Sequence, residues 1–317
     1  MSYTSDAYIC DLASGLEWIR AHQRRGSHMT LTSPTVARLE LTLRIRGRRE
    51  ELDLTGVRIA KALGFTNQYW THVEKGRNVL TEEKLTALMD LLEIEATEER
   101  EELLALRTQA KERGWWASYS GLFSDDALRL FGLEHGARSV RTYSALLVPG
   151  LLQTEDYARA LISSDMANIR PVDAEQYVAV RMRRQQRLFA EKDSLELMAI
   201  VSEAALRQQV GGPDVQRQQL EHLVEVCTRH ADTVGVRVLP FTTTVGAIAG
   251  ASIFQLLDFA NPRIPTVGWH ESVAYGALLD DPRSVRDLGI TFGQAYEKAL
   301  DDTESLDFIR KVAHDIS

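Results

Sequence analysis

Residues Leu54 to Glu93 read LTGVRIAKALGFTNQYWTHVEKGRNVLTEEKLTALMDLLE, and the first half of this stretch predicts two short helices joined by a tight turn. Thr55 is a helix-capping residue type, and Gly64 ends the first helix where a left-handed backbone is needed. Thr66 caps the second helix, which ends at Gly76. The spacing of apolar residues predicts one buried inner face, formed by Ile59, Ala60, Leu63, Trp70 and Val73.

The outer face of the second helix is polar. Two helices that cross through a short turn, the second with a polar outer face, have the geometry that fits a DNA major groove. An Asn or Gln amide can form a bidentate contact with adenine, and an imidazole can donate to or accept from a base edge. The stretch therefore predicts a DNA-binding element whose base-reading side chains are Asn67, Gln68, Thr71 and His72.

The preceding helix is predicted from Pro34, after the capping Ser33, to about Glu51, and it contains the basic run RIRGRR. Its predicted inner face is formed by Val36, Leu39 and Leu43. Basic and hydroxyl side chains beside a reading helix hold DNA phosphates and set its register. We predict phosphate contacts for Thr66, Lys75, Arg77, Arg46 and Arg48. The alternative is a solvated helix face with scattered arginines.

A net charge of −8 is unexpected for a DNA-binding protein, but the charge is distributed unevenly along the chain. Residues 34–80 contain nine Lys or Arg and five acids, which gives this segment a charge of +4 and leaves −12 for the remainder. A basic module attracts phosphate while an acidic body repels it, so the asymmetry directs one part of the chain to nucleic acid.

Several features of this region recur together: Leu54-Thr55, the IAKALG run, the Thr66 cap, the V-E-x-G of Val73, Glu74 and Gly76, and an apolar helix around Leu85, Leu88 and Leu92. In this combination the region resembles the phage-repressor (Xre-like) helix-turn-helix family. The resemblance implies an ion pair between Arg49 and Glu74 that ties the first helix to the reading helix. The sequence departs from that family at Gly56, where a phosphate-anchoring Gln is usual, and at Arg58, which replaces an acid that would complete a capping box.

Two more helices complete the predicted DNA-binding domain. Thr81 starts the fourth helix, and Thr97 starts a fifth that stops at Gly114, each with acids at the positive end of the helix. Residues 30–114 are therefore predicted to form a five-helix domain.

Residues 115–317 predict a second domain, which begins at the paired Trp115-Trp116. Thr154 caps a new helix after Pro149-Gly150, and alternating segments predict four short strands, near Ser194–Val201, Val234–Leu239, Ser252–Phe259 and Pro265–Trp269. Helices flanking a small sheet make an α+β domain. The fold class predicted for the chain is mainly α, with a five-helix helix-turn-helix domain followed by an α+β domain with a small sheet.

The second domain has its own sequence features: the paired Trp, Leu133-Glu134 before a predicted helix with Arg141 and Tyr143, and VPGLLQT at residues 148–154 followed by Tyr157-Ala158. With these features the chain resembles actinobacterial regulators of the WhiJ type. The resemblance implies a C-terminal domain of unknown biochemical activity and a small acidic partner protein. A ligand or partner groove is predicted near Trp115, Trp116, Tyr143 and Tyr157, although such aromatic residues more often pack in a core.

Residues 1–29 do not look native to the rest of the chain, because Gly26-Ser27-His28-Met29 matches the usual scar before a cloned start codon. We expect the natural chain to begin at Met29. Before the scar, apolar residues recur at helical spacing, at Ile9, Leu12, Leu16 and Ile19. One hypothesis is that residues 1–25 are a partner peptide fused to the chain for capture in a groove. The other is a tag or vector-encoded leader without a role.

The sequence does not predict an enzyme. His222, Cys227 and His230 lack a fourth metal ligand and do not share one helix face, and no nucleophile accompanies Trp269-His270-Glu271. We therefore predict no metal, no cofactor and no catalytic residue. The two cysteines, Cys10 and Cys227, form no disulfide pattern, and no apolar run is long enough to cross a membrane, so a cytoplasmic location is expected.

Three functions from different classes compete. The favoured one is a sequence-specific transcriptional regulator that binds double-stranded DNA as a homodimer, since one module contacts too little DNA for high specificity. The second is an interaction module whose main role is to bind a small partner protein, with DNA binding secondary. The third, an enzyme with a DNA-binding appendage, requires a catalytic constellation that the sequence lacks.

Overall fold

The computed structural model describes residues 33–165, 168–243, 246–251, 253–272 and 276–316. The predictions made for residues 1–29, including the peptide of residues 1–25, lie outside the described residues, as does Cys10. The described chain folds as two compact units. The first contains residues 33–136 and 259–265, and the second contains residues 137–258 and 266–316, apart from the gaps given above.

The described part of the first unit is built from α-helices and one short 3₁₀ helix. The helices are α1 (Pro34–Glu51), α2 (Gly56–Leu63), α3 (Asn67–Glu74), α4 (Glu82–Leu91), α5 (Thr97–Ala110) and α6 (Asp125–Gly136), with the 3₁₀ helix at Trp115–Tyr119. The predicted caps are present: the side chains of Ser33, Thr55, Thr66 and Thr81 each accept a backbone hydrogen bond at the start of a helix. Gly64 ends α2 with a left-handed backbone, at φ 74°.

One apolar core joins α1 to α5. Its buried members include Ile59, Leu85 and Leu88, none of which exposes any surface, and Trp70, which is 2% exposed. The inner face predicted for α1 is wrong, because Val36, Leu39 and Leu43 are only half-buried. The buried residues of α1 are Ala37, Leu41, Thr42 and Ile45, because α1 is also covered by α6 and therefore turns a different stripe to the core.

The first unit continues past Gly114 to Gly136. The Ser33 hydroxyl donates to the Gly132 carbonyl at 2.5 Å, so the start of α1 is bonded to α6. A Cβ on Gly132 would lie 2.0 Å from the hydroxyl oxygen of Thr35, which means that only glycine allows the two helices to approach this closely. The predicted boundary after Gly114 therefore differs from the division in the structure, which includes α6 in the first unit.

The second unit is organised around a sheet of six described strands in the order β3-β2-β1-β4-β5-β6. The strands are β1 (Ser139–Ser144), β2 (Glu196–Ser202), β3 (Val234–Leu239), β4 (Ile253–Asp258), β5 (Val267–Glu271) and β6 (Gly276–Leu279). The three strands β1 to β3 are parallel, and β4, β5 and β6 add to β1 in antiparallel order.

Six described helices belong to the second unit, and four of them, from Glu203 onward, pack on the sheet. The six are α7 (Glu155–Ser164), α8 (Ala174–Gln185), α9 (Glu203–Arg207), α10 (Pro213–Arg229), α11 (Pro282–Lys298) and α12 (Asp302–Asp315), with 3₁₀ helices at Gly150–Leu152, Pro171–Asp173 and Ala247–Gly250. A core on one sheet face joins β1, β2 and β4 to α11 through Tyr143, Ile200, Phe254 and Phe292. The fold class predicted from the sequence is confirmed, and the sheet is larger than the four strands predicted.

The residues around Arg141 and Tyr143 were predicted to be helical, and this is wrong. They lie on β1, which pairs with β2 on one side and with β4 on the other. Val140, Thr142 and Tyr143 have high strand propensity, and the two neighbouring strands satisfy every ladder position of a segment buried on both faces. Among the described residues, none of the helices combines the length and apolarity that a membrane crossing requires.

Candidate nucleic-acid interface

Helix α3 presents a polar face to solvent and an apolar face to the core. Trp70 and Val73 are 2% and 5% exposed. On the opposite face Asn67, Gln68 and Thr71 are exposed and His72 is half-buried, so the four predicted base-reading side chains share one side of the helix. The Thr71 hydroxyl donates to the Asn67 carbonyl at 2.9 Å, so its oxygen can still accept a hydrogen bond.

The turn between α2 and α3 holds the second helix at a defined angle. The Phe65 amide donates to the Ala60 carbonyl at 2.8 Å, closing the end of α2. Lys84 of α4 donates to the Leu63 carbonyl at 2.9 Å and lies over the Phe65 ring, 5.5 Å from its centroid. Phe65 also packs on Tyr69, with ring centroids 4.5 Å apart. These contacts fix the angle between α2 and α3 by packing, so that it does not depend on a free loop.

Helix α1 is tied to the end of α3. Arg49 Nε donates to Glu74 Oε1 at 2.6 Å, which is the ion pair that the family resemblance implies. The same arginine donates to the Leu54 carbonyl at 2.8 Å. Since both partners of the ion pair are mostly buried, this contact fixes the C-terminal end of the reading helix against α1.

Arg46 and Arg48 were predicted to hold phosphate, and the structure gives both a different role. Arg46 donates to the Glu74 carbonyl at 2.6 Å and Arg48 to the Leu92 carbonyl at 3.0 Å. These carbonyls lie at the ends of α3 and α4, where a helix has no internal donor left and where its dipole favours a cation. We therefore assign the two arginines to helix capping instead of DNA contact.

The other arginines of α1 are also used inside the first unit. Arg38 donates to the Ala110 carbonyl at 2.8 Å, and Arg44 pairs with Glu99 and Glu102 at 3.2 and 2.7 Å. The basic run RIRGRR of α1 thus stabilises the packing of helices. It provides no free row of cations.

Three of the predicted phosphate residues are placed as expected for that role. Thr66, Lys75 and Arg77 are exposed and lie at the two ends of α3. Neither Lys75 nor Arg77 forms an ion pair with any residue that the structure describes. Thr66 accepts from the Tyr69 amide at 3.1 Å, so its hydroxyl is a cap that can also donate outward.

Gly56, the first residue of α2, leaves room for the reading helix. A Cβ at this position would lie 2.9 Å from both Cδ1 and Nε1 of Trp70, and 3.5 Å from Glu74 Oε2. The indole N–H of Trp70 has no hydrogen-bond acceptor among the described residues. The large Trp70 side chain therefore requires glycine at position 56, and this explains why no longer side chain occupies the start of α2.

Replacing Gly56 with alanine is expected to destabilise the first unit by about 1–3 kcal/mol, since the added methyl group overpacks the Trp70 indole. Gly47→Ala is the matched control, because a Cβ there meets nothing within 4 Å. In the interior of α1 that change should instead stabilise by about 0.5–1 kcal/mol. Urea unfolding followed by circular dichroism measures both. Equal effects of the two substitutions would contradict the packing assigned to Gly56.

The four aromatic residues predicted to line a groove pack within their own units. In the first unit, the Trp115 ring stacks on Phe131 with centroids 6.2 Å apart, and Trp116 is 7% exposed. In the second unit, Tyr143 and Tyr157 are 4% and 0% exposed, and burial raises the pKa of both phenols. The two tyrosines therefore belong to the core instead of an open groove.

The VPGLLQT segment, residues 148–154, is held by buried amides that the sequence did not single out. Gln219 of α10 donates to the Leu152 carbonyl at 2.8 Å and accepts from the Thr154 amide at 2.7 Å. Gln185 of α8 donates to the carbonyls of Gly150 and Gln153 at 2.9 and 2.8 Å. Gln153 itself donates to the Val148 carbonyl at 2.7 Å. The backbone of the VPGLLQT segment is thus hydrogen-bonded by buried glutamine side chains inside the second unit.

Two reactive side chains of the second unit, Cys227 and His222, are buried and half-buried on α10. Burial, reinforced by the Asp302 carboxylate, raises the pKa of the Cys227 thiol to about 12, so this thiol is not a nucleophile at neutral pH. Burial lowers the pKa of His222. Among the described residues no group of three or more His, Cys, Asp or Glu is arranged to hold a metal ion.

The capped helix pair, the polar outer face of α3 and the core beneath it define a helix-turn-helix domain, the class of fold that DNA-binding regulators use. Comparison with known families agrees, since a helix-turn-helix domain family matches residues 40–103. A second family, described as a domain of unknown function (DUF5753), matches residues 128–311, which is more than half of the chain. The chain belongs to this DUF5753 family. No curated protein and no solved structure matches the chain.

Proposed function

We propose that this chain is a sequence-specific transcriptional regulator of the Xre-like type, and that its second unit senses a partner protein, a peptide or a small ligand. The observation that carries the proposal is the outer face of α3. Four polar side chains that can hydrogen-bond to base edges lie there in a row, over a helix whose other face is buried by Trp70 and Val73.

The reading helix requires support on the DNA backbone at both of its ends. Thr66 at the start of α3, and Lys75 and Arg77 after its end, are exposed in the positions where phosphate contacts set the register of such a helix. The ion pair between Arg49 and Glu74 fixes the end of α3 against α1, so less ordering of the helix itself opposes binding.

A homodimer is part of the proposal, because α3 contains only eight residues. A helix of this length reads a few base pairs, which is too little to specify a site in a genome. Two copies related by a two-fold axis would bind two half-sites about one helical turn apart, on a pseudo-palindromic operator.

For the second unit we propose a regulatory rather than a catalytic role. The resemblance to actinobacterial WhiJ-type regulators supports a small acidic partner protein as its ligand. The raised pKa of the buried Cys227 thiol gives no support to a nucleophilic role for that side chain. A regulator of this type acts in the cytoplasm, where the DNA is.

Selection of bound DNA from random oligonucleotides by the full chain tests the proposal. We expect enrichment of a pseudo-palindromic site and a complex whose mass contains two copies of the chain, measured by light scattering. Enrichment of no sequence would contradict the proposed function. If the chain then co-purified with a small protein, the interaction-module alternative would be favoured.

A further inference from the structure

Helix α2 presents two cations that the internal contacts of the first unit do not use. Arg58 and Lys61 are exposed and, three residues apart, lie on the same side of α2. Neither side chain forms an ion pair or a hydrogen bond with any residue in the described part of the chain. This distinguishes them from the five arginines of α1, each of which has at least one such partner.

The position of Arg58 opposes the stability of its own helix. Thr55 is the N-cap of α2, and its hydroxyl accepts from the Arg58 amide at 3.3 Å, which places Arg58 in the first helical turn. The backbone dipole makes this end of a helix positive, so a cation here is unfavourable. A glutamate at the same position would complete a capping box with Thr55. Local stability therefore does not explain why the residue is arginine.

Lys61 has a local explanation that Arg58 lacks, because it lies in the last turn of α2, where the dipole favours a cation. Gly56 contributes no side chain at the start of the helix, and a Cβ there would lie 2.9 Å from Trp70. Val57 is 60% exposed and has no polar atom on its side chain. Arg58 is thus the first side chain of α2 that can reach a phosphate.

We propose that Arg58 is the anchor of α2 on the DNA backbone, with Lys61 as a second cation on the same strand. The inference rests on the proposed function. In helix-turn-helix docking the first helix of the pair crosses the backbone while the second enters the major groove. An unpaired guanidinium in the first turn of α2, beside backbone amides that also favour an anion, matches a phosphate oxygen. The DNA-backbone contact then comes from α2 and from the ends of α3, and α1 serves only to hold them.

Arg58→Glu separates a role in DNA binding from a role in folding, because the substitution should raise the melting temperature while it lowers the affinity for DNA. Completing the capping box should raise the melting temperature of the first unit by about 2–4 °C. Affinity for the selected operator should fall by about tenfold or more at low salt. The slope of log affinity against log salt should decrease by about 0.9 for each bound copy of the chain, the value expected for one lost phosphate contact. Preference among DNA sequences should be unchanged, because phosphate contacts carry no sequence information.

Arg58→Gln and Arg44→Gln each remove one positive charge. Arg44→Gln is therefore the control for the loss of charge alone. Arg44 is paired with Glu99 and Glu102 inside the first unit, so its loss should lower the melting temperature slightly and leave the salt slope unchanged. If the unsubstituted chain binds DNA and Arg58→Glu keeps both the affinity and the salt slope of that chain, the anchor is refuted while the proposed function stands. If the unsubstituted chain selects no DNA, the proposed function itself fails.

Discussion

Replacing both Asn67 and Gln68 with alanine is expected to reduce strongly the preference of this chain for its operator while leaving the fold intact. Both amides are exposed at the start of α3, above the buried Trp70, and neither takes part in the core. Each bidentate contact between an amide and a base discriminates by about 1–3 kcal/mol. Loss of two such contacts should therefore reduce discrimination by about 2–6 kcal/mol for each bound copy.

The measurement is the affinity of the double variant for the selected operator and for scrambled DNA at one salt concentration. The operator affinity should fall toward the affinity for scrambled DNA, and the salt slope should stay constant because the phosphate contacts remain. Unfolding by urea should be unchanged within about 0.5 kcal/mol, as for other surface substitutions. A variant whose preference for the operator is unchanged would show that Asn67 and Gln68 do not read bases.

Gln219→Leu is expected to destabilise the second unit by about 2–6 kcal/mol. The Gln219 side chain is completely buried and bonds both the Leu152 carbonyl and the Thr154 amide. Leucine has a similar volume but makes neither hydrogen bond, so two buried backbone groups would remain unsatisfied, each at a cost of about 1–3 kcal/mol. The free energy of unfolding, measured in urea, reports the loss.

The adjacent Gln218 offers a matched control on the same helix, because it is exposed. Gln218→Leu should change the free energy of unfolding by no more than about 0.5 kcal/mol. Similar losses for the two substitutions would show that the buried amide network does not stabilise the VPGLLQT segment. The hydrogen bonds of Gln219 would then result from the fold without contributing to its stability.

The helix-turn-helix could be predicted because its signals are local. A threonine cap, a glycine with positive φ and apolar residues at helical spacing are read within a few positions of one another, and all appear in the structure. The solvent-facing side of α3 followed directly, since burial of Trp70 and Val73 leaves Asn67 and Gln68 outside. Strand β1 could not be predicted in this way, because its ladder partners are separated from it by tens of residues along the chain.

The basic run of α1 shows why charge in a sequence does not specify a binding site. Arg46 and Arg58 are equally cationic in the sequence, but Arg46 lies beside a helix end that offers a carbonyl and Arg58 does not. Only the packing of α1 against α3, α4 and α5 decides which guanidinium groups are used internally. The sequence by itself determined the capped helix pair and the polar face of α3, since caps and helical periodicity act within a few residues. The tertiary structure decided which cations stay available for DNA and how the strands of the second unit pair, because those outcomes depend on neighbours that only folding brings together.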